Sequence, residues 1–146
     1  MIQIRRMTIE DIDQVSRLEE KTFSMPWHRE SFIEMISNPL ALYMVAVDGD
    51  ELMGTCGMLT VAGEADISNV AVDEKFRRRG VAYELVQEAM CVAGRDFGVK
   101  DFTLEVRAGN KAAIGLYEKL GFVSEGVRPN FYEMPVEDAL IMWKRD

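Results

Sequence analysis

The segment Asp66–Ala82, which reads DISNVAVDEKFRRRGVA, constrains the fold of this chain more than any other stretch. An apolar run typical of a buried strand is followed by a charged loop, a glycine and the first turn of a helix. Gly80 lets the backbone approach a ligand because no Cβ is in the way. Free N–H groups at a helix N-terminus receive anions, and Arg77–Arg79 add charge and donors. The segment therefore predicts a diphosphate-binding strand–loop–helix, although a solvated arginine run before an ordinary helix fits the spacing equally well.

Size and composition predict a soluble protein. The chain has 146 residues, which predicts one domain spanning residues 1–146 with a core of its own. Hydrophobic residues make up 48% and charged residues 29%, as in globular proteins. No apolar run approaches the roughly 20 residues of a membrane span, and the N-terminus lacks the apolar core of a signal peptide. We therefore expect a cytoplasmic protein that binds no membrane.

The net charge of −8, from 25 acidic and 17 basic residues, limits the class of partner. General nucleic-acid binding needs basic residues that displace counterions from phosphates, so it is not expected. A basic peptide or an amine suits the charge better. Cys56 and Cys91 form no C-x-x-C pair, so neither zinc nor a disulfide framework is expected. Each cysteine lies in an apolar segment and is predicted to be a small core residue.

Hydrophobic periodicity and turn residues predict the element order βααβββαβαββ. The first half of this order implies antiparallel hairpins, and the second half implies a right-handed parallel crossover. The result is a mixed sheet with helices on its faces. The predicted strands are Ile2–Arg6, Leu42–Val47, Leu52–Val61, Glu64–Val72, Asp101–Val106, Phe122–Val127 and Ala139–Trp143, and the predicted helices are Thr8–Phe23, His28–Ser37, Val81–Phe97 and Lys111–Leu120.

Two regions carry more detailed expectations. In the second helix, Phe32, Ile33 and Ile36 are predicted to share the buried face. After the sixth strand, the chain is predicted to run as a polar loop through Pro129 and Pro135.

Five stretches together resemble a known enzyme family. They are Arg77–Ala82, Pro26-Trp27 with Phe32, Leu104–Asn110, Ala113–Phe122, and Asn130–Tyr132 followed by Glu137–Ala139. The first is similar to the (Arg/Gln)-x-x-Gly-x-(Gly/Ala) motif of the GNAT acetyltransferases. The others resemble segments of the RimI type within that family, the ribosomal-protein-alanine N-acetyltransferases. The resemblance spans nearly the whole chain and implies the GNAT fold: an α/β (α+β) architecture whose mixed, mostly antiparallel sheet contains a splayed parallel strand pair and carries helices on both faces.

The resemblance implies acetyl-CoA as the cosubstrate, and no metal. The backbone of Val70–Val72 would bond the pantetheine arm between the splayed strands, and the N–H groups from Arg78 to Tyr83 would hold the diphosphate. Asn110 would also bond the pantetheine, although a simple N-cap of the following helix explains it too. The implied cosubstrate-binding residues are Val70, Ala71, Val72, Arg77, Arg78, Arg79, Gly80, Val81, Ala82, Tyr83 and Asn110.

Two residues carry the implied catalysis. Glu105 would be the general base, at the C-terminal end of a predicted central strand where open α/β sheets bind ligands; without the motif, an ion-paired glutamate would be the simpler interpretation. Because an α-amine has a pKa of about 7.7–8.0 and a lysine about 10.4, a modest carboxylate base suffices for the α-amine. Tyr117 would protonate the leaving thiolate as general acid, or it packs in the core under Phe122.

The acceptor side is less constrained. The resemblance places Tyr132 and Trp27 beside the substrate peptide, although both fit as aromatic covers of the core. Phe131 stands where the family commonly has tyrosine, which removes one hydroxyl near the acceptor. Arg77 and Arg79 replace the more usual glutamines without harm to diphosphate binding.

Three functions therefore stay open. The first is acetylation of a protein N-terminus, expected on a ribosomal protein, by a monomer or weak dimer. The second is acetylation of a lysine side chain or a small amine such as a polyamine. The third is a non-catalytic CoA-binding regulatory module, which the presence of both Glu105 and Tyr117 disfavours.

Overall fold

The computed structural model describes residues 1–146. The element order is the predicted βααβββαβαββ, with two additional short 3-10 turns at Ile9–Asp11 and Glu74–Phe76. The elements are β1 (Gln3–Arg6), α1 (Ile12–Thr22), α2 (Arg29–Ser37), β2 (Ala41–Asp48), β3 (Glu51–Val61), β4 (Glu64–Val72), α3 (Val81–Phe97), β5 (Asp101–Arg107), α4 (Lys111–Lys119), β6 (Val123–Tyr132) and β7 (Glu137–Lys144).

One seven-stranded sheet, in the order β1-β2-β3-β4-β5-β7-β6, organises the molecule. Every neighbouring pair is antiparallel except β4 and β5, which run parallel. Their pairing ends where Ile67 faces Leu104, although β4 continues to Val72 and β5 to Arg107. The two strands therefore part at their C-terminal ends. The predicted mixed, mostly antiparallel sheet with a splayed parallel pair is confirmed.

Helices cover both faces of this sheet. On one face, a core of 24 buried residues joins the sheet to α3 and α4, with Leu85, Met58 and Leu104 at its centre. On the other face, a core of 12 residues joins it to α1 and α2 around Ile12 and Phe32. Each fully buried side chain of this size contributes about 1.5–3 kcal/mol, so both faces are needed for stability. No helix combines the length and the apolar character needed to cross a membrane.

Two predictions about buried side chains are wrong. In α2, Phe32 is 0% and Met35 8% exposed, whereas Ile33 is 38% and Ile36 41% exposed. The buried stripe of α2 contains Phe32 and Met35, which are three positions apart. Ile33 and Ile36 each come one position later, so they lie about 100° further around the helix and outside that stripe. Cys56 is buried as predicted, but Cys91 is exposed, on the outer side of α3.

The sixth strand is longer than predicted. It continues through Pro129 to Tyr132 rather than ending at Val127. Because β6 is the edge strand, the missing N–H of a proline is tolerated there. The register with β7 is broken between Arg128 and Tyr132, around that proline. This extension places Phe131 and Tyr132 at the end of a strand.

Candidate active site

A cleft of about 730 Å³ opens where β4 and β5 part. Its walls come from the C-terminal ends of these strands, the α1–α2 loop, the start of α4 and the end of β6. Six residues singled out from the sequence line this cleft: Trp27, Val70, Glu105, Asn110, Tyr117 and Tyr132. Beyond Ile67 and Leu104 the backbones of β4 and β5 no longer pair, which leaves a space between the two strands. Residues up to about 100 positions apart in the chain line this space.

Glu105 offers a free carboxylate to the cleft. On β5, Phe102, Leu104 and Val106 are buried and the alternate residues are half-buried, so Glu105 faces away from the α3 core. Its carboxylate accepts no hydrogen bond from the protein and has no cationic side chain within 4 Å. A carboxylate without a protein partner is available to accept a proton from a bound ligand.

Tyr117 both packs in the core and lines the cleft. It is 6% exposed, and its ring lies 5.7 Å from that of Phe122 in an edge-on contact. Burial raises the pKa of the Tyr117 hydroxyl well above its usual value, so the group keeps its proton at neutral pH. The helix that carries it is capped by Asn110, whose Oδ1 accepts the Ala113 N–H at 3.2 Å. The N-cap role weighed for Asn110 is therefore present, and the same residue also lines the cleft.

Unbonded backbone amides lie at the start of α3. The six N–H groups from Arg78 to Tyr83 donate no hydrogen bond to the protein. Gly80 has φ 74°, in the left-handed region, and a Cβ built there would meet nothing within 4 Å. The backbone conformation, and not crowding, therefore favours glycine at this position. A row of free amides at a helix N-terminus fits an anion such as the diphosphate of CoA.

The arginines beside these amides are partly occupied. Arg77 donates from Nε to the Val72 carbonyl at 3.2 Å, which fixes the end of β4. Arg79 lies over the Phe76 ring at 5.5 Å. Val72 and Arg77 line a neighbouring cavity of about 430 Å³ and not the main cleft. The side chain of Ala71 is buried in the core. None of the predicted binding residues from Ala71 to Tyr83 lines the main cleft, so any contact they make to a ligand lies outside it.

Part of the cleft wall is built by aromatic residues and one arginine. The Trp27 ring lies 5.5 Å from that of Phe32, which anchors the α1–α2 loop on α2. Arg107 lies 4.6 Å over the Tyr132 ring and donates to the carbonyl oxygens of Glu133 and Pro135, so it fixes the β6–β7 loop. Burial, and then the nearby Glu105 carboxylate, raise the pKa of Tyr132 to about 12, and Arg107 opposes part of that rise.

Several polar residues of the cleft were not predicted as site residues from the sequence, among them Glu19, Asp66 and Asn69. Burial in the cleft, and then the Glu105 carboxylate, raise the pKa of Asp66. Strand alternation could have indicated that Asp66 faces the cleft. Asp66 pairs with Thr103, and Thr103 lies on the same face of β5 as Glu105. Glu19 follows the apolar spacing of α1, and a glutamate at such a position is a signal too. Nothing in the sequence singled out Asn69.

Comparisons with known proteins agree with this geometry. The model of the Acetyltransferase (GNAT) family matches residues 12–122. A Bacillus subtilis protein named as a putative [ribosomal protein bS18]-alanine N-acetyltransferase is 38% identical over 141 residues, which cover 96% of this chain and 93% of that protein. The Salmonella typhimurium [ribosomal protein bS18]-alanine N-acetyltransferase is 33% identical, covering 97% and 96%. The crystal structure of the Escherichia coli ribosomal-protein-S18-alanine N-acetyltransferase superposes with a TM-score of 0.90 at 29% identity, covering 99% of this chain and 94% of that one.

Proposed function

The chain belongs to the GNAT acetyltransferase family, and from this premise we propose that it transfers the acetyl group of acetyl-CoA to the α-amine of a protein N-terminus, with the N-terminal alanine of ribosomal protein bS18 as acceptor. One observation carries the proposal. A free carboxylate, Glu105, and a protonated hydroxyl, Tyr117, line the same cleft at the point where β4 and β5 part.

Glu105 is the proposed general base. An α-amine must lose its proton before it attacks, and its pKa of about 7.7–8.0 lies about one unit above neutral pH, a cost of about 1.4 kcal/mol. A lysine side chain, at about 10.4, needs more than three units. A half-buried carboxylate with no partner in the protein matches the smaller task. The base therefore favours an α-amine acceptor over a lysine.

Bound acetyl-CoA supplies the thioester carbonyl that the amine attacks and the sulfur that leaves. The free amides from Arg78 to Tyr83 would hold its diphosphate, and the open edge of Val70–Val72 would bond its pantetheine arm. Tyr117 holds a proton on Oη in the cleft wall and would donate it to the sulfur. Trp27 and Tyr132, which also line the cleft, would flank the acceptor.

The acceptor is proposed from the relatives and the charge. The Bacillus subtilis and Salmonella typhimurium relatives are both named for the alanine of bS18, and the chain matches each over nearly its full length. The net charge of −8 also suits a basic peptide. The exposed Phe131, beside Tyr132, offers an apolar surface where the family commonly has a hydroxyl.

The test is CoA release with a panel of acceptors: an alanine-starting peptide of the bS18 N-terminus, the same peptide with a blocked α-amine and an internal lysine, and spermidine. We expect turnover on the free α-amine peptide at least about tenfold above the other two, since the lysine and polyamine amines bind their protons more tightly. Turnover confined to spermidine would exclude the proposed acceptor. Binding of acetyl-CoA without turnover on any acceptor would instead indicate a regulatory module.

A further inference from the structure

A second carboxylate, Glu19, is buried in the wall of the cleft. It is 3% exposed, and it is the one buried residue of α1 that is not apolar. No cationic side chain lies within 4 Å of it. Burying a carboxylate without a counter-charge is costly, so it persists only when hydrogen bonds compensate. The desolvation raises the pKa of Glu19, and its two hydrogen-bond partners oppose that rise.

The hydrogen bonds of Glu19 join two walls of the cleft. Asn69 on β4 donates from Nδ2 to both carboxylate oxygens at 3.0 Å. The backbone N–H of Trp27, in the α1–α2 loop, donates to Oε2 at 3.1 Å. One side chain thus connects the strand that faces the cosubstrate with the loop that faces the acceptor.

Asn69 forms a β-bulge at the place where β4 leaves β5. Between the pairs Thr55–Ala71 and Gly57–Ser68, the single residue Cys56 of β3 faces two residues of β4. Asn69 has φ 54°, in the left-handed region that asparagine tolerates better than most residues. Its carbonyl accepts a hydrogen bond from Thr55 Oγ1 at 2.9 Å. The bulge is therefore held from β3 through the carbonyl and from α1 through the side-chain amide.

We propose that Glu19 is a positioning residue, which holds the Asn69 bulge so that the backbone after it faces the gap in the orientation that receives the pantetheine arm. Val70 follows Asn69 directly, so its N–H and C=O directions depend on the φ and ψ angles of Asn69. This inference rests on the proposed function. It adds that the affinity for acetyl-CoA depends on the Glu19 carboxylate, which acts through Asn69 and not by direct contact with acetyl-CoA.

The test is a double-mutant cycle read as the Kd of CoA by calorimetry, which requires no turnover. We expect Glu19→Ala to weaken CoA binding about tenfold, because the Asn69 amide is left without its acceptor. Asn69→Gly keeps a residue that adopts the left-handed conformation and should weaken binding less than about threefold. In the Asn69→Gly background, Glu19→Ala should raise the Kd of CoA by less than about threefold, because the side-chain amide that Glu19 binds is already absent.

Glu20→Ala is the matched control, since Glu20 neighbours Glu19 on α1 but is exposed, and its Kd should stay within about twofold of wild type. Glu19→Gln should retain most of the affinity, since its carbonyl accepts the Trp27 N–H and its amide donates to a rotated Asn69.

If Glu19→Ala does not fold, the cycle is run with Glu19→Asp, which is one methylene too short to reach both walls. An unchanged Kd, or equal losses in the presence and absence of Asn69, would overturn the proposal. Peptide turnover by the wild type is measured separately, so the fate of the proposed function is read independently.

Discussion

The two halves of the site are built from different parts of the chain. Along Val70–Tyr83 the proposed contacts to CoA come mainly from the backbone: six free amides, a left-handed glycine and an open strand edge. In the cleft itself the proposed chemistry depends on single side chains, Glu105 and Tyr117, held by strand and helix packing. The backbone half should tolerate side-chain changes and depend on φ and ψ. The side-chain half should be sensitive to substitution of Glu105 or Tyr117 and much less sensitive to local φ and ψ.

The largest expected effect lies in the side-chain half. Glu105→Gln should lower kcat on the alanine-starting peptide by about 10²-fold or more, because a positioned general base contributes about 10²–10⁴. Its Kd for CoA should stay within about twofold, since the backbone half is untouched. Steady-state kinetics and calorimetry measure the two, with Glu118→Gln, exposed on α4, as the control. A rate near wild type across the pH range would remove Glu105 from the mechanism.

Tyr117→Phe should lower kcat by about 10–10²-fold while the CoA Kd and the thermal midpoint change little. Phenylalanine keeps the edge-on contact with Phe122 and removes only the proton donor. Tyr43→Phe is the matched control, because Tyr43 is equally buried and its hydroxyl makes no hydrogen bond. Equal losses of kcat in the two variants would show that a tyrosine hydroxyl has no special role at position 117.

The backbone half is tested by Gly80→Ala. An alanine at φ 74° is strained by about 1–2 kcal/mol, so the loop should shift and its amides should lose their arrangement. We expect the CoA Kd to rise about 5–10-fold, with the KM for the peptide little changed. Gly98→Ala imposes similar strain at φ 68° at the other end of α3, where a Cβ also meets nothing, and should leave the Kd unchanged.

Arg79→Ala has the smallest expected effect on CoA binding, and it tests whether the backbone or a side-chain charge holds the diphosphate. Because Arg79 is exposed and stacks on Phe76, its loss should raise the CoA Kd by less than about threefold. A larger loss from Arg79→Ala than from Gly80→Ala would show that side-chain charge, and not the backbone, holds the diphosphate.

Alkaline pH tests the burial of one core thiol and one cleft hydroxyl through stability. Burial raises the pKa of Cys56 from 9.0 to about 12 and that of Tyr132 from 10.0 to about 12. Groups with raised folded-state pKa values contribute stability that is fully present below their unfolded values and is lost as pH rises towards about 12. Above pH 9 the free energy of unfolding should fall, by up to about 1.4 kcal/mol per pH unit from Cys56 and by less from the half-buried Tyr132. Urea titrations should show a shallower fall for Cys56→Ala between pH 9 and 11; an equal slope would contradict this origin.

The sequence predicted the backbone half well and the cleft wall only in part. The bounds of β4 and α3 and the glycine before α3 follow from local periodicity and turn chemistry, which a single sequence displays. The meeting of Glu105, Tyr117 and Tyr132 followed from family resemblance, since no local pattern places residues of β5, α4 and β6 together.

What was missed depends on long-range packing. The Asn69 bulge arises from a register difference between β3 and β4, and a register is not visible in one strand alone. Glu19 fitted the helical spacing of a core residue, but its partners lie 8 and 50 positions away. The extension of β6 through Pro129 depended on its place at the sheet edge, which is a property of the assembled sheet.

The most direct test of the whole account is a crystal structure with a bisubstrate conjugate, in which CoA is joined through an acetyl linker to the α-amine of the alanine-starting peptide. We expect the diphosphate within hydrogen-bonding distance of the amides from Arg78 to Tyr83, and the linked nitrogen in the cleft beside Glu105 and Tyr117. A diphosphate bound away from the start of α3, or a peptide nitrogen outside this cleft, would contradict it.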